Sequence, residues 1–229
     1  MPEPTSDVWE VLSTARSIRR YTDDPVDDKT LNRCLEAATW APNGANGQLW
    51  RFIVLDAPEQ RAAVAECAKI ALQTIEPVYG MIRPAADDQS RAARNNRATY
   101  ELHDRAGERT SVLFTAFKTE FASEYLQAGS LYPAMQNFYL AARAQGLGAC
   151  FTGWASYGGE AILRESVGIP DEWFLAGHIV VVASVFLAHL HYTIDVIGAY
   201  AVAFSLYVLR EGWPMPRDAG RLRAEGHSL

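Results

Sequence analysis

Two polar clusters near the start of the chain hold side chains suited to binding chemistry. The stretch Ala15-Arg-Ser-Ile-Arg-Arg-Tyr21 sets Arg16, Arg19 and Arg20 around Ser17. Guanidinium groups are permanently charged and present N–H donors in a fixed fork, so this run is equipped to hold an anion. It is also the pattern of a solvated helix end, where basic residues complement the dipole. Further on, Asn43-Gly44-Ala45-Asn46-Gly47-Gln48 combines side-chain amides, which donate and accept, with two glycines that let backbone approach a planar ligand. The same loop is common as a polar connection between helices, capped by Asn43. Together the clusters meet the needs of a ligand with an anionic end and a flat, polar-edged ring.

These clusters need elements to place them. Asp7 followed by Glu10 predicts a capped helix start, and Val8, Val11, Leu12 and Ala15 extend it at helical spacing to near Ser17. A second helix is predicted after Asp28, with Leu31, Cys34, Leu35 and Ala38 on one face, stopping before Ala41-Pro42. Residues 51–55 read as a strand, and Trp50 and Phe52 as core anchors alternating with Arg51 and Ile53. Pro58 opens a third helix to about Leu72, before Pro77, Gly80 and Pro84 break the pattern. Residues 85–109 are polar and arginine-rich, a solvated helix or a lid, with His103 and Asp104 read as solvated. Residues 111–118 have strand composition, and 132–144 helix composition ending at Gly146-Leu-Gly148. A buried strand at 149–154, a helix at 162–167, a turn at 168–171 and a strand at 178–182 complete the expectation.

Composition narrows the function classes. With 229 residues, 49% apolar, the chain can bury one large core. A net charge of -6 argues against a nucleic-acid partner, so any anion site must be local. Cys34, Cys67 and Cys150 form no CxxC pair and read as buried hydrophobes in a reducing, cytoplasmic setting, and the first residues lack the basic and apolar regions of a signal peptide. No His/Cys/Asp cluster has zinc spacing, so no metal is expected. Gly146-x-Gly148 follows a helix and is no dinucleotide fingerprint.

Three segments in order resemble the nitroreductase family. Arg16-Ser-Ile-Arg-Arg-Tyr21 is similar to its R-S-x-R-x-[FY] motif, and residues 41–52 to its A-P-S-x-x-N-x-Q-P-W-R-F motif. Residues 128–153 are similar to its long buried helix, G-L-G turn and following strand, and the likeness runs over residues 7–182. Leu49 replaces the usual proline and Asn43 the usual serine. The resemblance implies an α+β fold, with a central, mainly antiparallel sheet flanked by helices, in a homodimer with FMN at the interface. It also implies hydride transfer from NADH or NADPH to the flavin, then reduction of a nitroaromatic, quinone or similar small acceptor. Arg16 and Ser17 would hold the phosphate, and Arg19 would face the pyrimidine edge. Asn43, Asn46 and Gln48 would line the ring or ribityl chain, and the amides of Thr152 and Gly153 would face flavin N5. No side chain is nominated as catalytic, since the cofactor carries the chemistry.

The C-terminal part departs from that pattern. The expected domain is 1–182, followed by an apolar insert at 183–211 and a basic tail at 212–229. Gly212-Trp-Pro214, with Arg221 and Arg223 after it, resembles the family's tail that returns to the phosphate. The insert resembles the H-Y-T-[IV]-D-V helix of sphingomyelin synthases and lipid phosphatases, which would make His191 a nucleophile oriented by Asp195, with Ala176-Gly-His178 as a remnant of an S-G-H motif. A hydrogen-bonded i, i+4 pair in a buried helix is the plainer reading of His191 and Asp195. Residues 174–209 are long and apolar enough to cross a bilayer, which makes a membrane anchor one expectation, although Asp195 and three histidines would be costly in lipid. The alternative function is a nitroreductase scaffold without turnover, acting in binding or at a membrane.

Overall fold

Four stretches rich in β-branched and aromatic residues pair into one sheet in the computed structural model, which describes residues 3–120 and 123–183. The strands are β1 (Trp50–Leu55), β2 (Ser111–Phe117), β3 (Leu147–Thr152) and β4 (Trp173–Ala183), in the order β1-β2-β4-β3. Every neighbouring pair is antiparallel, as expected. Alternation along each strand sorts side chains onto two apolar faces. Trp50, Phe52, Val112, Phe114, Ala149, Ile179 and Val181 pack toward α2 (Asp28–Thr39) and α5 (Glu124–Ala144). Ile53, Leu55, Leu113, Cys150 and Val180 pack toward α3 (Pro58–Tyr79), α4 (Arg91–Asp104) and α6 (Glu160–Val167). Trp50 and Phe52 are core anchors, and Phe52 sits 4.9 Å from Phe114 between ring centroids. All three cysteines are free and buried.

The first helix, α1 (Val8–Thr14), starts where its cap predicts, with Asp7 Oδ1 accepting from the amides of Trp9 and Glu10 at 2.8 and 3.0 Å. It ends at Thr14, short of Ser17, because the next residues pair with the sheet. Ser17 forms a parallel bridge to Ala149, and the Ile18 amide donates to the Ala149 carbonyl at 3.0 Å. Helix α3 runs past Leu72 and through Pro77 to a left-handed stop at Gly80, φ 57°. Helix α5 begins well ahead of residue 132 and carries Pro133 inside it, because Leu131, Ala134, Met135, Phe138 and Ala142 bury a continuous apolar face. Such burial outweighs one missing backbone hydrogen bond.

The arginine-rich segment at 85–109 is not a solvated helix throughout. Its helix α4 is capped by Ser90 and buries Ala93, Tyr100, Leu102 and His103. The expected strand at 178–182 starts earlier, at Trp173, and lies in the middle of the sheet. Its register to β2 shifts between Phe114 and Thr115, which leaves Ala176 as a bulge. A Cβ at Gly177 would lie 2.6 Å from Met135 Cε, so a glycine here lets α5 approach the sheet. Residues 174–183 are therefore paired strand, where a membrane-seeking run was one expectation, and the Ala176-Gly-His178 stretch falls within it. No helix among the described residues is long and apolar enough to cross a membrane. His191, Asp195, Gly212-Trp-Pro214, Arg221 and Arg223 lie outside the described residues.

Candidate functional site

Two of the expected groups share β3, an edge strand among the described residues. Arg16, Ser17 and Arg19 run alongside its start through the Ser17–Ala149 bridge, while Thr152 and Gly153 form its exit. Arg16 Nη1 donates to the Ala15 carbonyl at 2.6 Å. Among the described residues, neither Arg16 nor Arg19 has a carboxylate partner, in contrast to Arg20, which pairs with Glu101 at 3.4 Å. Two half-buried guanidinium groups are thus left to act on another anion. Thr152 is buried opposite His178 in the register with β4, and Gly153 lies against Tyr157, whose Cε2 would sit 3.2 Å from a Cβ there.

Tyr139 and Cys150 belong to the same corner, and sequence reasoning did not find them. Both lie beside Ser17. Burial drives the Tyr139 hydroxyl well above its ordinary value, with Cys150 adding to the rise and Ser17, Arg19 and Arg16 opposing it. Burial likewise raises the Cys150 thiol, against the pull of Arg19 and Ser17. Tyr21 is raised by burial too, and its hydroxyl has no partner among the described residues. Helical spacing could have put Tyr139 on a helix. Only the chain's return along β3 shows what it faces.

The amide-rich loop lies elsewhere. Asn43, Asn46 and Gln48 precede β1, the opposite edge strand, and three inter-strand spacings separate β1 from β3, about 14 Å. Helix α5 gives the same scale: Ser130 Oγ accepts from the Gly44 amide at 3.2 Å, and Ser130 and Tyr139 are about 14 Å apart at the helical rise. The loop is exposed and tightly wound. Ala45, Asn46 and Gln48 have φ of 52°, 54° and 51°, whereas Gly47 sits at -69°. The left-handed turns therefore fall on non-glycine residues, and each costs about 1 kcal/mol. Asn43 Oδ1 accepts from the Gln48 amide at 3.0 Å, and Gln48 Nε2 donates to Asn46 Oδ1 at 2.8 Å, which locks the loop in this form.

His103 is not solvated. It is 7% exposed, its Nδ1 lies 2.8 Å from the Thr99 carbonyl and its Nε2 2.9 Å from Trp154 Nε1. Burial holds its pKa below the ordinary histidine value. Asp104 faces outward and pairs with Arg83 at 2.7 Å, which lowers its carboxyl. Among the described residues no group of three or more His, Cys, Asp or Glu could hold a metal.

The chain has counterparts among known proteins. A family model described as the nitroreductase family matches residues 12–181. The 5,6-dimethylbenzimidazole synthase of Rhodospirillum rubrum is 27% identical over 170 residues, covering 72% of this chain and 75% of that enzyme. An FMN reductase (NAD(P)H) of Bacillus subtilis is 36% identical over 63 residues, covering 28% of this chain and 25% of that protein. Matches to other curated relatives are also partial, spanning 40% and 32% of two of them. The structure of a nitroreductase with bound FMN from Bacteroides fragilis shares the fold at a TM-score of 0.58 and 18% identity, over 82% of this chain and 94% of that one.

Proposed function

Because the chain belongs to the nitroreductase family, we propose that it is an FMN-dependent oxidoreductase, taking reducing equivalents from NADH or NADPH and passing them to a nitroaromatic, quinone or similar small acceptor. The observation that carries this reading is the pair of half-buried guanidiniums, Arg16 and Arg19, without carboxylate partners among the described residues, in the segment that runs beside the strand leading to the Thr152–Gly153 exit. That donor set fits a cofactor with a phosphate at one end and a hydrogen-bonding ring at the other. Relatives support it by name, since one is an FMN reductase and one structure contains FMN. When bound, FMN supplies the two-electron centre between nicotinamide and acceptor.

In this reading Arg16 and Ser17 hold the phosphate, and Arg19 places a fixed cation where negative charge develops on the reduced ring. The Thr152 and Gly153 amides serve the ring's reacting edge. Asn43, Asn46 and Gln48 sit on the opposite sheet edge, so in one homodimeric site they come from the second copy. The test is the visible spectrum of the purified protein, taken anaerobically before and after NADPH or NADH. Flavin bands that bleach are expected. A colourless protein that takes up no added FMN would overturn the proposal and favour a scaffold without turnover.

A further inference from the structure

We infer that His103 is a positioning residue for the Gly153 amide, acting through the indole of Trp154. The inference rests on the flavin reading above. The Thr99 carbonyl can only accept and the Trp154 indole can only donate, so His103 carries its proton on Nδ1 and offers a lone pair at Nε2. Both rings are buried, with centroids 5.2 Å apart and planes inclined by 55°. Trp154 in turn organises the turn that follows β3, its carbonyl accepting from the amides of Tyr157 at 3.1 Å and Gly159 at 3.3 Å. The backbone on the exit side of Gly153 is therefore tied, through one buried hydrogen bond, to helix α4 in the arginine-rich segment.

A protonated His103 would turn Nε2–H toward the indole N–H, donor against donor, so the tie holds only for the neutral ring. The charged groups bearing on it are Asp104 on its own helix, Glu76 from α3 and Arg19 from the segment beside β3. Asp104 and Glu76 favour protonation, while burial and Arg19 oppose it.

The test uses the full chain and three variants. In the FMN-free protein, nitrogen NMR of the wild type should show an Nδ1–H tautomer at His103 and a slowly exchanging Trp154 indole proton. His103→Leu should speed that exchange, raise the FMN Kd about tenfold and displace the flavin midpoint potential. His103→Gln, whose Oε1 can accept from the indole, should return the FMN Kd to within about twofold of wild type and the midpoint potential to its wild-type value. A folded His103→Leu protein with unchanged Kd and potential would overturn the positioning role. If His103→Leu does not fold, Trp154→Phe removes the same hydrogen bond from the other side and decides in its place. A wild type that binds no FMN would overturn the flavin assignment and this role with it, and the tautomer and exchange data show whether the histidine–indole tie itself exists.

Discussion

Replacing Arg16 by alanine should separate cofactor binding from folding. In the structure the Arg16 guanidinium bonds to the neighbouring Ala15 carbonyl at 2.6 Å, and among the described residues it has no carboxylate to strand. Its removal leaves no buried partner unpaired, so unfolding free energy should change by about 0.5 kcal/mol or less. A guanidinium on a phosphate makes charge-assisted hydrogen bonds worth about 1.5–3 kcal/mol each. Loss of one should raise the FMN Kd between about tenfold and a hundredfold. Arg16→Lys keeps the charge without the fork and should fall between wild type and Arg16→Ala. The assay is quenching of FMN fluorescence on titration with FMN-free protein, at low and moderate salt, beside a thermal melt of each variant. Added salt should narrow the gap between wild type and Arg16→Ala, because part of it is screened charge attraction. An Arg16→Ala protein with the wild-type Kd would remove this arginine from the phosphate site. One that loses FMN only because it unfolds would refute the separation of roles.

Four other outcomes follow from the packing. Arg143→Ala should do the reverse of Arg16→Ala, costing about 2–3 kcal/mol of stability with little direct effect on FMN, because the buried guanidinium ties Thr14, Glu10 and the Glu3 carbonyl to α5. Denaturant melts and the flavin titration measure the two effects side by side. Gly159→Ala should cost about 3 kcal/mol or more, since its Cβ would meet Cys67 Sγ at 2.1 Å, and Cys67→Ala should rescue it in part, because Cys67 Cβ and Cα remain at 3.0 and 3.1 Å. Burial pushes the Cys34 and Cys67 thiols up to about 12 and raises Cys150 as well, so a thiol reagent should modify none of the three in the native protein and all three after unfolding in denaturant. Folding holds His103 below its unfolded pKa of about 6.5, so the stabilising neutral form is retained above that value and stability falls as pH drops below it, toward the folded pKa. Melts of wild type and His103→Gln between pH 7 and pH 5 should therefore converge if His103 is the group responsible.

Local signals in the chain predict local structure well. Asp7 caps α1, Gly168 ends α6 in the left-handed conformation, and the alternation of Trp50 and Phe52 marks a strand. Where breaker residues competed with long-range burial, the sequence reading stopped too soon. Pro77 and Pro133 both argue against helix in a short window. The apolar faces of α3 and α5 override them because each covers one side of the same sheet, which no window around either proline contains. His103 was misread for a related reason: its neighbours are polar, and both of its ring nitrogens are satisfied, one of them by a residue of the turn after β3.

The site was legible in its residue types and hidden in its placement. Arginine forks and side-chain amides declare an affinity for anions and ring edges wherever they sit. What positions them is pairing between distant parts of the chain: Ser17 beside Ala149 on one edge of the sheet, the Asn43 loop leading into the other. Among the described strands the order puts β1 and β3 outermost because β4, the last of them in sequence, inserts between β2 and β3. That insertion separates two clusters adjacent in the sequence by about the width of the sheet. A single flavin that uses both then draws them from two chains, so the dimer proposed here is a consequence of where β4 enters the sheet.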